Sequence, residues 1–179
     1  MGALLPDFEQ AALPHLDAAY NLARWLTRDE KDAEDVVQEA YLRAIRHFST
    51  FKGGDARPWL LAIVRNTYYT WVRHNRSAKV EIAFDEEMHA ETPDPADPEK
   101  LLLREMDRQV LRRAIRSLPT EFLEVIMLRE FEELSYKQIA DVVQVPVGTV
   151  MSRLSRARRR LAQILSNCHK NQTAMELVL

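Results

Sequence analysis

Between Glu81 and Glu99 the chain carries Thr92-Pro93-Asp94-Pro95-Ala96-Asp97-Pro98, a segment that no helix should cross. Each proline removes a backbone donor and pushes the residue before it out of the helical region. Residues 80–99 also hold eight acidic groups and no Lys or Arg. Proline spacing and self-repelling charge together predict an extended acidic linker. The chain should therefore fold as one unit on each side of it: residues 1–79, a linker over 80–98, a second unit over 99–170 and a tail over 171–179. With 179 residues and only four glycines, in a background rich in Ala, Leu, Arg and Glu, both units should be helical. The expected fold class is all-α, with two small helical domains joined by the acidic, Pro-rich linker.

The formal charge of −2 conceals a strong asymmetry. Residues 1–79 carry +1, residues 80–99 carry −8 and residues 100–179 carry +5. A nucleic-acid signal therefore has to be sought in local clusters rather than in the overall balance. No apolar run approaches a membrane span, so no membrane insertion is expected. The N-terminus lacks the charged and then apolar pattern of a secretory signal. The lone Cys168 can form neither an internal disulfide nor a cysteine-based zinc site. A cytoplasmic setting is the expectation.

The densest local signal runs from Leu134 to Arg158. Ser135 and Gln138 have the spacing of a capping box. Pro146 can open a following helix, where its missing N–H would have been unpaired anyway. At ~100° per residue, Val147, Val150, Leu154, Ala157 and Leu161 share one face of that helix. Ser152, Ser155, Arg156 and Arg159 point the other way, with Arg153 and Arg160 on the flank. Two short helices with a tight turn, the second presenting Ser and Arg outward, suit the DNA major groove. The competing reading is an ordinary helical hairpin whose basic face is merely solvated, since cations also favour helix C-termini.

Two constellations precede the linker. A helix from about Asp32 to Phe48, capped by Asp32, should bury Ala33, Val37, Ala40, Tyr41, Ala44, Ile45 and Phe48. Its opposite face carries Asp35, Glu39, Leu42 and Arg46, so Leu42 stands apolar among charges, as on a docking surface. Solvated charges around one stray leucine would explain the same pattern. Asp32, Asp35 and Glu39 could also be read as metal ligands at helical spacing, but no histidine joins them. A helix before it, from about Asp7 to Thr27, should bend or restart at Pro14. A third helix should begin after Arg57-Pro58 and bury Leu60, Ile63, Val64, Thr67 and Trp71. That helix and the Ser49–Ala56 loop before it gather Phe51, Lys52, Trp59, Tyr68, Tyr69, Arg73 and Arg76. Aromatics interleaved with cations suit single-stranded nucleic acid. Asn66 has an amide able to read a base edge, and Tyr69 is placed opposite the buried stripe.

These constellations, in this order, resemble the small two-domain extracytoplasmic-function (ECF) sigma factors of the sigma-70 family. The segments that carry the resemblance are Asp32-Ala33-Glu34-Asp35-Val36-Val37-Gln38-Glu39, Trp59-Leu60 with Arg65-Asn66-Thr67, and Gly148-Thr149-Val150-Met151-Ser152-Arg153-Leu154 with Arg156-Ala157-Arg158. The resemblance implies docking on core RNA polymerase, at the β′ clamp helices through Asp35, Gln38, Glu39, Leu42 and Arg46, with further contact to the β subunit. It implies −10 element recognition and melting by Phe51, Lys52, Asn66, Tyr69, Thr70, Arg73 and Arg76. It implies −35 recognition by Met151, Ser152, Ser155 and Arg156, with Tyr136, Lys137, Thr149, Arg153 and Arg159 holding phosphates. An anti-sigma factor is the implied regulator, and the linker would thread towards the polymerase active-site and RNA-exit channels. Such a protein has no catalytic residues, metal or cofactor of its own. The rivals are a stand-alone DNA-binding regulator, which leaves the third helix and linker unexplained, and a metal enzyme built on the carboxylates of the second helix.

Overall fold

The computed structural model describes residues 4–75 and 108–176, and within them the side chains of residues 7–75 and 108–167. All regular structure among the described residues is helical. The first unit opens with α1 (Leu4–Ala12), a 3-10 turn (Leu13–His15) and α2 (Leu16–Thr27). Pro14 lies in that turn, so the proline marks a restart. Arg28 closes α2 in the left-handed conformation, φ 63°, with its N–H donating to the Arg24 carbonyl.

Helix α3 (Glu30–His47) begins one turn before the sequence signal suggested. Its N-cap is Asp29, whose Oδ1 accepts from the Asp32 amide at 2.9 Å. Asp32, the expected cap, is instead a buried first-turn residue that supplies the capped amide. The buried stripe is Ala33, Val36, Val37, Ala40 and Ala44. Tyr41 and Phe48 are half-buried at its edge. Ile45 falls outside it at 42% exposure, because the small Ala44 makes the close approach at that level.

A 3-10 turn (Phe48–Thr50) leads into a loop in which Gly53 and Gly54 both have positive φ, 84° and 87°. Two consecutive left-handed residues explain the glycine pair. Helix α4 (Ala56–Asn75) starts as Asp55 Oδ1 accepts from the Arg57 amide at 3.0 Å. It buries Leu60, Leu61, Val64, Thr67 and Tyr68. Ile63 and Trp71, expected in the core, are only half-buried. The stripe is rotated because α4 is packed on two sides: by α2 and α3, and by the second unit.

The second unit starts in the described residues with α5 (108–116). Helix α6 (Thr120–Ile126) widens into a π-turn over Met127–Phe131, where the Glu132 amide reaches back to the Met127 carbonyl at 3.1 Å. Helix α7 (Tyr136–Val143) carries the anticipated capping box, with both Ser135–Gln138 bonds formed. Gln144, φ 57°, makes the tight turn, and Pro146 stands immediately before α8 (Val147–Glu176). That helix has 30 residues and continues unbroken to Glu176, into the segment expected to be a tail. Val150, Leu154 and Ala157 are wholly buried, in the same core as Leu123, Leu128, Leu134 and Ile139. Burying Val150 and Leu154 is worth about 1.5–3 kcal/mol each.

The two units are closed onto each other, with α6 against α2 and α7 against α4. One continuous apolar core runs through both.

Candidate nucleic-acid and partner interfaces

Helix α8 presents the surface anticipated for a major-groove reader. With Val150, Leu154 and Ala157 turned inward, Met151, Ser152, Ser155, Arg156 and Arg159 are all exposed. Thr149 is half-buried, and its carbonyl accepts from the Ser152 hydroxyl at 2.9 Å. Arg153 differs from the other arginines: its guanidinium pairs with Glu121 of α6 at 3.3 Å, which ties α8 to the unit's scaffold. Arg158, on the same helix, binds Glu130 at 2.6 Å. On α7, Lys137 is exposed, while Tyr136 is half-buried with the Arg129 guanidinium over its ring, 5.1 Å from the ring centre.

The outward face of α3 is charged around one apolar residue. Asp35, Gln38 and Arg46 are exposed, and Leu42 is 45% exposed among them. Glu39 is half-buried and accepts from Arg43 Nε at 2.7 Å, one turn along. Of its carboxylates, Asp32 is buried, Asp35 is exposed and Glu39 is ion-paired, and among the described residues no group of three or more His, Cys, Asp or Glu is placed to hold a metal ion. Ile45 extends the apolar exposure next to Leu42.

Helix α4 divides its candidate residues between two faces. Asn66 and Arg73 are exposed, with half-buried Thr70 between them. The Thr70 hydroxyl donates to the Asn66 carbonyl at 2.9 Å and accepts from Arg73 Nη2 at 3.4 Å. A shallow groove of about 180 Å³ runs from this face to α3, lined by Thr67, Thr70, Trp71 and His74 opposite Asp35 and Glu39. Polymerase-facing and nucleic-acid-facing candidates thus border one depression.

Tyr69 departs from expectation. It is half-buried, and its hydroxyl donates to Glu124 Oε1 of α6. Arg65 Nε donates to the other Glu124 oxygen at 2.7 Å, and its guanidinium lies 4.7 Å from the Tyr69 ring centre. Burial, and then the bond to Glu124, push the Tyr69 phenol well above its usual pKa. Periodicity placed Tyr69 opposite the first unit's core correctly, but the second unit covers that side. Glu124 was missed altogether, though an acidic residue inside the apolar run Phe122–Leu128 was a readable signal.

In the loop before α4, Lys52 is exposed. Phe51 is half-buried in an aromatic cluster, its ring centre 5.7 Å from Phe48 and 5.4 Å from Trp59. Arg76 lies outside the described residues, as does the linker.

Residues 12–78 match the family described as Sigma-70 region 2, and residues 108–161 match Sigma-70, region 4. The ECF RNA polymerase sigma-E factor of Escherichia coli K12 is 39% identical over 137 residues, covering 73% of this chain and 72% of that one. The chain belongs to the ECF group of the sigma-70 family. The ECF RNA polymerase sigma factor SigE of Mycolicibacterium smegmatis is 31% identical over 172 residues, which are 96% of this sigma-family chain and 66% of SigE's length. Among solved structures, the sigma factor RpoE of Bartonella quintana, in complex with the anti-sigma factor NepR, superposes with a TM-score of 0.72 at 27% identity. The superposition covers 89% of this chain and 97% of RpoE, so it takes in both units. Among the described residues, no helix is long and apolar enough to cross a membrane.

Proposed function

We propose that this chain is a sigma initiation factor that binds core RNA polymerase and directs it to specific promoters, under the control of an anti-sigma factor. The observation that carries the reading is α8, a helix whose buried stripe leaves Met151, Ser152, Ser155, Arg156 and Arg159 exposed as one array. Within a sigma-70 chain that array is suited to the −35 element, with Arg156 reaching base edges and Arg159 a phosphate. Lys137, Tyr136 and Thr149 border it as further phosphate contacts, and Arg153 acts through its hold on Glu121 as well.

In this reading residues 1–79 form the polymerase-docking and −10 domain, residues 80–98 the linker and residues 99–170 the −35 domain, followed by a tail. The α3 face of Asp35, Gln38, Glu39, Leu42 and Arg46 docks on polymerase. The exposed Asn66 and Arg73 and the half-buried Thr70, with Lys52, Phe51, Tyr69 and Arg76, read and hold the −10 element. A base extruded from the duplex needs an amide to recognise it and a ring to stack on, which Asn66 and Tyr69 can provide. The chain does no bond chemistry. Its contribution is binding energy, two weak DNA readers held at fixed spacing by the polymerase so that each raises the effective concentration of the other. The working compartment is the cytoplasm, where polymerase and chromosome are found together. The likeness of both units to a sigma factor captured with NepR supports anti-sigma control.

Run-off transcription from a genomic promoter library, with purified core polymerase and this chain, tests the proposal. The expected result is a discrete set of start sites sharing two spaced elements. Duplex DNA bound equally well and specifically without polymerase, and no transcripts with it, would instead establish a stand-alone regulator.

A further inference from the structure

Two pairs of arginines, each one helical turn apart, come together where the end of α2 meets the end of α5: Arg24 with Arg28, and Arg112 with Arg116. Arg28 Nη2 donates to the Leu118 carbonyl, two residues beyond Arg116, at 3.4 Å. Burial, and then the charges of Arg24, Arg112 and Arg28, lower the pKa of the half-buried Arg116, so the four cations lie within electrostatic range of one another. Part of this charge has a structural use, since a cation favours the carbonyl end of a helix and Arg28 serves α5 in that way. One arginine suffices for that. Arg24 is 6% exposed, and its Nη1 is buried with no hydrogen-bond partner among the described residues. Nor, among those residues, does any carboxylate form an ion pair with Arg24, Arg28 or Arg116, whereas Arg65 and Arg153 have Glu124 and Glu121. A buried cation without a counter-charge weakens a fold. Such a cost persists where a ligand offsets it.

We propose that these arginines form a binding site for a small, multiply charged phosphate, held through a diphosphate group. Arg28, exposed, and Arg116, half-buried, receive the anion at the surface. Arg24 supplies a third charge from beneath, and Arg112 a fourth from one turn back along α5. Guanidinium forks match phosphate oxygens in pairs, which makes arginine the residue suited to such an anion. A single phosphate can engage one arginine pair, whereas a diphosphate can span both. The carbonyl ends of α2 and α5 disfavour an anion. Affinity therefore has to come from the guanidinium groups, and the loss of one is felt strongly. Inorganic pyrophosphate and the tail of a nucleoside diphosphate share this chemistry.

The test is calorimetric titration of the full-length chain with inorganic pyrophosphate, ADP and inorganic phosphate at matched ionic strength. One pyrophosphate should bind per chain, with phosphate about tenfold weaker or more. ADP binding tighter than pyrophosphate identifies a nucleotide as the source of the diphosphate; ADP binding equally or more weakly identifies the inorganic ion. Arg116→Gln and Arg24→Met should each weaken pyrophosphate about tenfold or more at unchanged helicity. Arg160→Gln, the same change of charge at an exposed position of α8, should leave it within about twofold. Arg24→Met should also raise the melting temperature of the ligand-free chain by about 2–4 °C, because an uncompensated buried charge is gone. No saturable binding of pyrophosphate, binding no tighter than that of phosphate, or full affinity in Arg116→Gln or Arg24→Met overturns the inference. A lowered melting temperature in Arg24→Met would make that arginine scaffold and overturn its place in the site. Neither polymerase nor DNA is present in the titration, so its failure leaves the promoter-directing function untouched.

Discussion

Arg65 and Glu124 stand 59 positions apart in sequence, yet share a 2.7 Å ion pair in which the carboxylate is 1% exposed and the guanidinium 15%. Such a pair contributes little net stability, because desolvating both charges offsets most of their attraction. Removing one partner is a different matter: a buried charge is left uncompensated, at a cost of roughly 3–5 kcal/mol. The pair therefore acts as a condition on how the units meet. Any arrangement that separates Arg65 from Glu124 must give both groups water or a new partner.

Leu42→Arg should weaken binding to core polymerase while leaving the fold intact. Leu42 is 45% exposed, so an arginine there meets solvent in the free chain. At the centre of a docked surface it would cost about 2 kcal/mol or more, the scale of a hot-spot residue. Affinity for core polymerase, measured alongside helicity, decides the matter. Unchanged affinity would remove Leu42 from the interface.

Arg156→Ala and Arg159→Ala should fail in different ways. Losing a bidentate base contact at Arg156 should cost about 1–3 kcal/mol and relax preference at one position of the −35 element. Losing a phosphate contact at Arg159 should weaken all sequences evenly and reduce the salt dependence of binding. Competition among −35 variants at two salt concentrations separates these patterns. A uniform loss for Arg156→Ala would reverse the assignment.

Asn66→Ala should alter base preference within the −10 element, since Asn66 is exposed and outside the closed junction. Tyr69→Ala should reduce open-complex formation by about 1–3 kcal/mol, the worth of one stacked base. A pre-melted bubble should restore part of the Tyr69 defect, because extrusion no longer has to be driven by the protein. Permanganate reactivity of promoter thymines reports both effects. Normal reactivity in both variants would make these side chains scaffold.

Alkaline pH should destabilise the chain partly through Tyr41. Burial, and to a lesser degree Asp17, raise its pKa to about 12, and its hydroxyl donates to the Ala12 carbonyl at 3.0 Å. A phenol whose folded pKa is raised contributes stability that is complete below its unfolded value of about 10 and is lost as pH rises through the folded one. Tyr41→Phe should therefore lower stability below about pH 10 and show a shallower alkaline decline above it. Denaturant unfolding on both sides of that pH measures the slope. Parallel slopes would show that Tyr41 does not titrate in this range.

Much of this was legible because it is local. The Ser135–Gln138 capping box and the Val150, Leu154, Ala157 stripe depend on spacings of three and four residues, which the sequence displays directly. Helix starts were less secure where acceptors crowd together: Asp29 and Asp32 are both plausible caps, and only the backbone geometry chooses Asp29. Ile45 shows the limit of periodicity, since a stripe's width depends on what it packs against. The environment of Tyr69 was beyond local reading, because Glu124 lies 55 positions away across the acidic linker. Nothing in the spacing of either helix encodes that meeting; it follows from how two complete units fit together.

Arg28 illustrates what such a meeting does to a single position. Its backbone sits in the left-handed region, φ 63°, a strain that glycine would relieve, while its side chain spans the junction to the Leu118 carbonyl at 3.4 Å. Local folding and the grip between the units therefore set opposite demands on one residue. Arg28→Gly would yield a sturdier α2–α3 corner and a looser whole molecule. Stabilising that corner would therefore come at the expense of a contact that holds the junction.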